Sequence, residues 1–168
     1  MLTDLVQIRL QGEKKRKENE HFRRFLKSRD HSDRILRRIA EGIEEQIDCT
    51  ACANCCQVAT VTIAERDIER LARYLRIPPA KFLAGYTTES PEEGRILRRT
   101  AEAGCVFLDG RSCTVYDARP ETCRRFPHMV RGAGSIASRM WQFTDRACYC
   151  PIVYNSLEAF KEELGFQK

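Results

Sequence analysis

The spacing of its cysteines constrains this chain more than any other feature. Cys49, Cys52, Cys55 and Cys56 form a C-x2-C-x2-C-C run; Cys105, Cys113 and Cys123 follow with seven and nine residues between them, and Cys148-Tyr149-Cys150-Pro151 completes a set of nine cysteines in 168 residues. Clustered thiols in a reducing compartment bind metal or do redox chemistry rather than form disulfides. Steps of three let a loop curl its thiolates about one centre with backbone amides turned toward the sulfurs.

The reducing compartment is itself an expectation from the sequence. The opening Met1-Leu2-Thr3-Asp4-Leu5 has neither a basic stretch nor a continuous apolar one, and no run of eighteen apolar residues follows, which predicts a cytoplasmic chain without a membrane partner. Hydrophobic content of 42% against 32% charged residues predicts a chain that folds. The formal charge of +5 counts every thiol as neutral, and basic residues alternate with acidic ones, so the composition argues against nucleic acid as the partner.

The chain divides by texture at residue 48. Residues 1–48 hold no cysteine or proline, and residues 1–40 carry twelve Lys or Arg against six Asp or Glu, which reads as a basic helical N-terminal arm. Leu36, Ile39, Ile43 and Ile47 lie on one face of a helix leading into the first cysteine, and Phe22, Phe25 and Leu26 begin a similar stripe. A polar break is expected over residues 28–33, with Ser32 as N-cap. One such stripe on a long arm also admits a homodimer.

Residues 49–168 are expected to form the cysteine domain, ending in an amphipathic helix over residues 156–164. Thr62-Ile63-Ala64-Glu65 has the form of a capping box opening a helix through Ile68, Leu71, Ala72 and Leu75, which Pro78-Pro79 ends. A short helix through Phe82 follows. Val106-Phe107-Leu108 and Thr114-Val115-Tyr116 flank an Asp109-Gly110 turn, a β-hairpin signal. A strict two-residue loop there pairs Val106 with Cys113 and sends Cys105 to the opposite face, whereas a three-residue bulged loop pairs Phe107 with Cys113 and sets both cysteines on one face, the form expected if the two share a site. Pro120 opens one or two helical turns over residues 120–125. The expected fold is therefore mainly α with a small antiparallel β-hairpin, an irregular α+β domain stapled by metal.

The expected ligands are Cys49, Cys52, Cys55, Cys56, Cys105, Cys113, Cys123 and Cys150, the last preferred to Cys148 because Cys-Pro ends the ferredoxin-type pattern. Three cysteines at successive spacings of three with a remote Cys-Pro favour a [4Fe-4S] cluster, and all-cysteine sites also suit zinc. Adjacent side chains diverge, so Cys55 and Cys56 point to two centres. Nine thiols allow two four-cysteine centres and one spare, or a single cluster with the rest structural. His128 is a subsidiary ligand candidate. Arg119, Arg124 and Arg125 flank Cys123 and either pair with carboxylates or offset a centre's negative charge. The sequence shows no phosphate loop, nucleophile elbow or catalytic triad ordering.

The cysteine run, Cys105-Val106-Phe107-Leu108, Cys113-Thr114-Val115-Tyr116, Arg119-Pro120-x2-Cys123-Arg124-x-Phe126-Pro127 and a late cysteine resemble the YkgJ-like cysteine-cluster family of zinc- or iron-chelating CxxCxxCC domains. The resemblance covers residues 49 to 150 and implies metal binding. It is also distantly similar to the cysteine domain of flagellin lysine-N-methylase. The leading expectation is an iron-sulfur or zinc protein with a redox use and an unknown redox or protein partner. Its rivals are a protein-modifying enzyme of the lysine N-methylase kind and a zinc-stapled interaction module.

Overall fold

The computed structural model describes every residue except Asp30 and Lys168. In chain order the helices and strands are α1 (Leu5–Lys14), α2 (Arg16–Ser28), α3 (Asp33–Glu44), α4 (Cys49–Cys52), α5 (Asn54–Val58), α6 (Glu65–Leu75), α7 (Pro79–Tyr86), β1 (Thr87–Ser90), β2 (Gly94–Leu97), β3 (Arg99–Thr100), β4 (Gly104–Cys105), β5 (Leu108–Asp109), β6 (Ser112–Cys113), α8 (Glu121–Arg125), α9 (Ile136–Arg146) and α10 (Pro151–Glu163). The fold class is mainly α with small antiparallel strand pairs, as the sequence implies. Among the described residues no helix is long and apolar enough to cross a membrane.

Two compact units result: Met1–Asp48 with Pro127–Lys168, and Cys49–Phe126. Residues 127–168, expected from sequence with the cysteine domain, group instead with residues 1–48. The reason is apolar complementarity. Ile8, Phe22, Leu26, Leu36 and Ala40 of the first three helices are buried together with Ile136, Met140 and Phe143 of α9 and Ile152, Val153, Leu157 and Phe160 of α10. Of the α3 stripe Leu36 is buried, while Ile39, Ile43 and Ile47 are half-buried. Lys161 Nζ, on α10, meets Glu18 Oε1 at 2.6 Å and Asn19 Oδ1 at 3.1 Å, so α2 satisfies a buried ammonium.

The break between α2 and α3 falls where the polar run puts it, with Ser32 at the N-cap, although Asp30 lies outside the described residues. Helix α10 starts at Pro151, five residues earlier than the apolar spacing suggests, because proline at the first helical position gives up an amide that would have no partner there anyway. Helix α9 has no counterpart in the sequence reading. Ser135 caps it by accepting the Ser138 amide.

The second unit is organised around Val61, Ile68, Leu71, Ala72, Phe82, Leu97, Phe107, Val115 and Ala118, with Cys105, Cys113 and Cys123 packed against them. Phe82, Tyr86 and Phe107 stack, with centroids 5.4 Å apart for Phe82–Tyr86 and 5.2 Å for Tyr86–Phe107. Helix α6 starts after Ala64 and not at Thr62. Asp67, placed three residues after Ala64, accepts that residue's amide at 3.1 Å, while Thr62 is drawn into a β-bridge with Ile96. The same carboxylate accepts the Glu121 amide at 3.1 Å and an Arg70 guanidinium N–H at 2.5 Å, pinning α8 to α6. Asp67→Ala strips partners from two amides and a guanidinium at a 3% exposed position, and we expect a loss of about 3 kcal/mol in urea denaturation.

The strands form three antiparallel pairs, β1–β2, β3–β4 and β5–β6. The expected bulged hairpin is not formed. Leu108 pairs with Cys113 and Asp109 with Ser112, leaving a two-residue loop, Gly110-Arg111. Gly110 has φ +58°, which only glycine adopts without strain at the head of a tight hairpin. Cys105 belongs to a different pair, opposite Arg99, so hairpin parity does not govern its side relative to Cys113.

Candidate metal centre

The cysteine run folds as two short helices, α4 and α5, hinged at Ala53. This residue is buried and left-handed, with φ 50°. The Ala53 amide donates to Cys49 O at 3.0 Å and the Cys56 amide to Ala53 O at 3.1 Å, which winds the run tightly. Cys49 is exposed; Cys52, Cys55 and Cys56 are half-buried.

Helix α5 is pressed onto β4 at Gly104. A Cβ on that residue would stand 2.7 Å from Cys56 O and 2.8 Å from Gln57 Cα, and its φ is +72°. Only glycine permits this approach. It carries Cys56 to Cys105 on β4, while β6 brings Cys113 and α8 brings Cys123. The Cys123 thiol interacts electrostatically with Cys105, Cys56 and Cys113, and Cys56 with Cys105 and Cys113. Four thiols from four elements of one unit therefore lie within electrostatic reach of one another, with the Cys55 thiol hydrogen-bonded to Cys56.

The electrostatics of this set are asymmetric. The hydrogen bond from Cys55, with Arg119 nearby, brings the Cys56 thiol down to about 7 against the cost of burial. Burial pushes Cys123 up to about 12, and the thiols of Cys105, Cys56 and Cys113 add to the rise. Burial also raises Cys105 and Cys113, opposed by amides that donate to their sulfurs, Phe107 to Cys105 and Val115 to Cys113. In both cases the donor lies two residues after the cysteine, an arrangement that stabilises a thiolate.

The sequence-predicted residues thus separate. Cys56, Cys105, Cys113 and Cys123 converge, Cys55 joins them through Cys56, and Cys49 and Cys52 lie on the preceding turn. Cys148 and Cys150 belong to the other unit, both buried. Burial raises Cys148 to about 11, and its sulfur accepts from Arg16 at 3.3 Å. Cys150 is the N-cap of α10. His128 is also in that unit, at φ 69°. Of the arginines, Arg125 pairs with Glu121 at 2.6 Å and Arg124 donates to the carbonyls of Asp117 and Arg119, whereas Arg119 is the cation beside the thiols. Sequence reasoning missed Gly104, Phe107, Val115 and Arg99, whose charge acts on Cys105. A glycine directly before Cys105 is the one signal that could have revealed the first.

The donor set suits a metal. Were all four ionised, their charges would repel one another, and a bound cation is what would make that charge state stable. Among the described residues no three His, Cys, Asp or Glu side chains are gathered closely enough to hold an ion.

The fold and this cluster define a cysteine-rich metal-chelating domain. The chain belongs to the CxxCxxCC family, described as a "Putative zinc- or iron-chelating domain", whose family model matches residues 48–151. Among curated proteins it is similar to the uncharacterized protein MJ0661 of Methanocaldococcus jannaschii, 34% identical over 92 residues that cover 49% of this chain and 45% of the relative. The chain therefore spans under half of that relative's length. No solved structure matches.

Proposed function

We propose that this chain is a cytoplasmic iron-sulfur protein whose thiolate centre exchanges electrons with a protein partner. The observation that carries the reading is the convergence of Cys56, Cys105, Cys113 and Cys123, with amides donating to two of the four sulfurs. A [4Fe-4S] cluster takes four cysteine thiolates, and its potential is set by such hydrogen bonds and by burial. Cys49, Cys52 and Cys55 belong to the same chelating segment.

Zinc is the second reading. It is favoured by the fact that the four thiols come from four separate elements, not from the successive C-x2-C steps of a ferredoxin loop. Titration with Co(II) under anaerobic, reducing conditions tests the ligand set common to both. Thiolate-to-cobalt charge transfer saturating at about one equivalent supports a four-thiolate site, and its absence refutes one.

Metal binding to these thiols displaces protons, most of all from Cys123, which burial holds protonated up to about 12. Binding should therefore weaken as pH falls. Between about pH 7.5 and 5.5 we expect cobalt affinity to drop by at least about 10,000-fold, since two or more protons compete for the site and each contributes about tenfold per pH unit. A pH-independent titration would mean that the thiols are not the ligands.

A further inference from the structure

Helices α1 and α2 meet at Lys15, whose amide donates to Gln11 O at 2.9 Å and whose carbonyl accepts from the Asn19 amide at 2.8 Å, so helical spacing carries across the joint. Ile8, Gly12, Asn19, Phe22 and Leu26 form the buried stripe of this run. The opposite stripe faces solvent at the same spacing of three and four: Val6, Leu10, Lys14, Lys17, His21 and Arg24 are all exposed. It is apolar at its start, where Val6 and Leu10 are 66% and 56% exposed, and basic beyond. The carboxylates within reach are already engaged. Glu13 pairs with Arg16 at 3.0 Å, Glu20 with Arg23 at 3.1 Å and Glu18 with Lys161 at 2.6 Å. Among the described residues no ion pair includes Lys14, Lys17 or Arg24.

We propose that this stripe docks an acidic protein segment, with carboxylates against Lys14, Lys17 and Arg24 and apolar side chains against Val6 and Leu10. The inference goes beyond the metal centre and holds whichever ion the thiols take. Like charges three and four residues apart repel along a helix, and an anionic occupant removes that cost. The charge argues against a second copy of this chain, which would set one basic stripe against another. A nucleic acid would meet the cations with phosphates but leave Val6 and Leu10 without a role. A bilayer surface takes up apolar side chains along a whole helix face, whereas here they stop after Leu10. A protein segment is free to be apolar over one stretch and acidic over the next, which matches the order along the stripe.

The test is fluorescence anisotropy of labelled poly(Glu,Tyr), an acidic polypeptide that also carries aromatic rings, titrated with the full chain in reducing buffer of low salt. The triple variant Lys14→Glu, Lys17→Glu, Arg24→Glu should bind at least about tenfold more weakly than the wild type, and the double variant Val6→Ser, Leu10→Ser about threefold more weakly. A matched control, Arg66→Glu, Arg73→Glu, Arg76→Glu, changes the net charge by the same amount at exposed positions on and beside α6, and should stay within about twofold of the wild type. Both triple variants should melt within about 3 °C of the wild type, since they alter exposed side chains. A wild-type chain that leaves the copolymer free overturns the proposal. Equal losses in the two triple variants do so as well, because net charge alone would then account for binding. Unchanged affinity in the double variant removes the apolar half of the surface and overturns it too. So does binding that depends on the stripe but is tighter to phosphatidylserine vesicles or to poly(U) than to poly(Glu,Tyr), which would assign the stripe to a bilayer or to nucleic acid.

Discussion

Cys56→Ser should empty the site. Cys56 is the thiol that the others share: it interacts with Cys105, Cys113 and Cys123, accepts help from Cys55 and Arg119, and is the one brought down to about 7. It is therefore the ligand most readily presented as a thiolate to an incoming ion. A serine hydroxyl is a hard, protonated donor and a poor substitute on zinc or iron-sulfur centres. We expect less than about a tenth of the wild-type metal per chain. Structural metal binding is folding free energy, so the variant should melt at least about 10 °C below the loaded wild type. The metal-free forms of the two should melt within about 2 °C, because exchanging sulfur for oxygen at a half-buried position changes little packing. A variant that keeps its metal would take Cys56 out of the centre.

Gly104→Ala should be nearly as damaging by a different route. The new methyl would meet backbone atoms, Cys56 O at 2.7 Å and Gln57 Cα at 2.8 Å, which cannot swing aside as a side chain would. The residue's φ of +72° adds left-handed strain for any L side chain. Relief requires α5 to lift from β4, and that separates Cys56 from Cys105. The expected cost is about 3 kcal/mol in the metal-free chain, from overpacking and strain together. The loaded chain should lose affinity as well, since Cys56 then stands further from Cys105. Gly110→Ala, at a loop position with φ +58° but nothing within 4 Å of the added methyl, carries the strain without the clash and should lose only about 1 to 2 kcal/mol with metal retained. Equal effects of the two substitutions would show that backbone conformation, not the close approach of α5, is what Gly104 supplies.

The helices were legible where a 3.6-residue apolar stripe had a clear stop. Leu36 in α3, and Ile68, Leu71 and Ala72 in α6, are buried as their spacing implies, and Pro78 with Pro79 separates α6 from α7. Helix α9 carries the repeat of Ile136, Met140 and Phe143, all fully buried, behind the Gly132-Ala133-Gly134 loop, but neither a proline nor a capping box marks its start. The start of α6 was misplaced because two capping patterns overlap. Asp67 is three residues from Ala64 just as Glu65 is three from Thr62, and the β-bridge from Thr62 to Ile96, a long-range pairing, decided between them.

The site was legible as a set of cysteine-bearing segments but not as a grouping. Local spacing puts Cys49, Cys52 and Cys55 together, whereas the fold gathers Cys56 with residues about fifty and more positions away, through the contact of α5 with β4 and the pinning of α8 by Asp67. Such contacts depend on a glycine at one strand end and a buried carboxylate on one helix, neither of which carries a motif. The hairpin register shows the same limit. Asp109-Gly110 marked the turn, but the positive φ of Gly110 shifted the loop one residue onward and placed Cys113 opposite Leu108.

The central claim is that these thiols hold a metal centre, and counting the metal tests it most directly. Iron, zinc and acid-labile sulfide should be measured per chain after anaerobic purification and reconstitution, beside a visible absorption spectrum. The account predicts about four irons and four sulfides with broad absorption near about 400 nm, all lost in Cys56→Ser. A wild-type chain that retains neither iron nor zinc after the same treatment would contradict it.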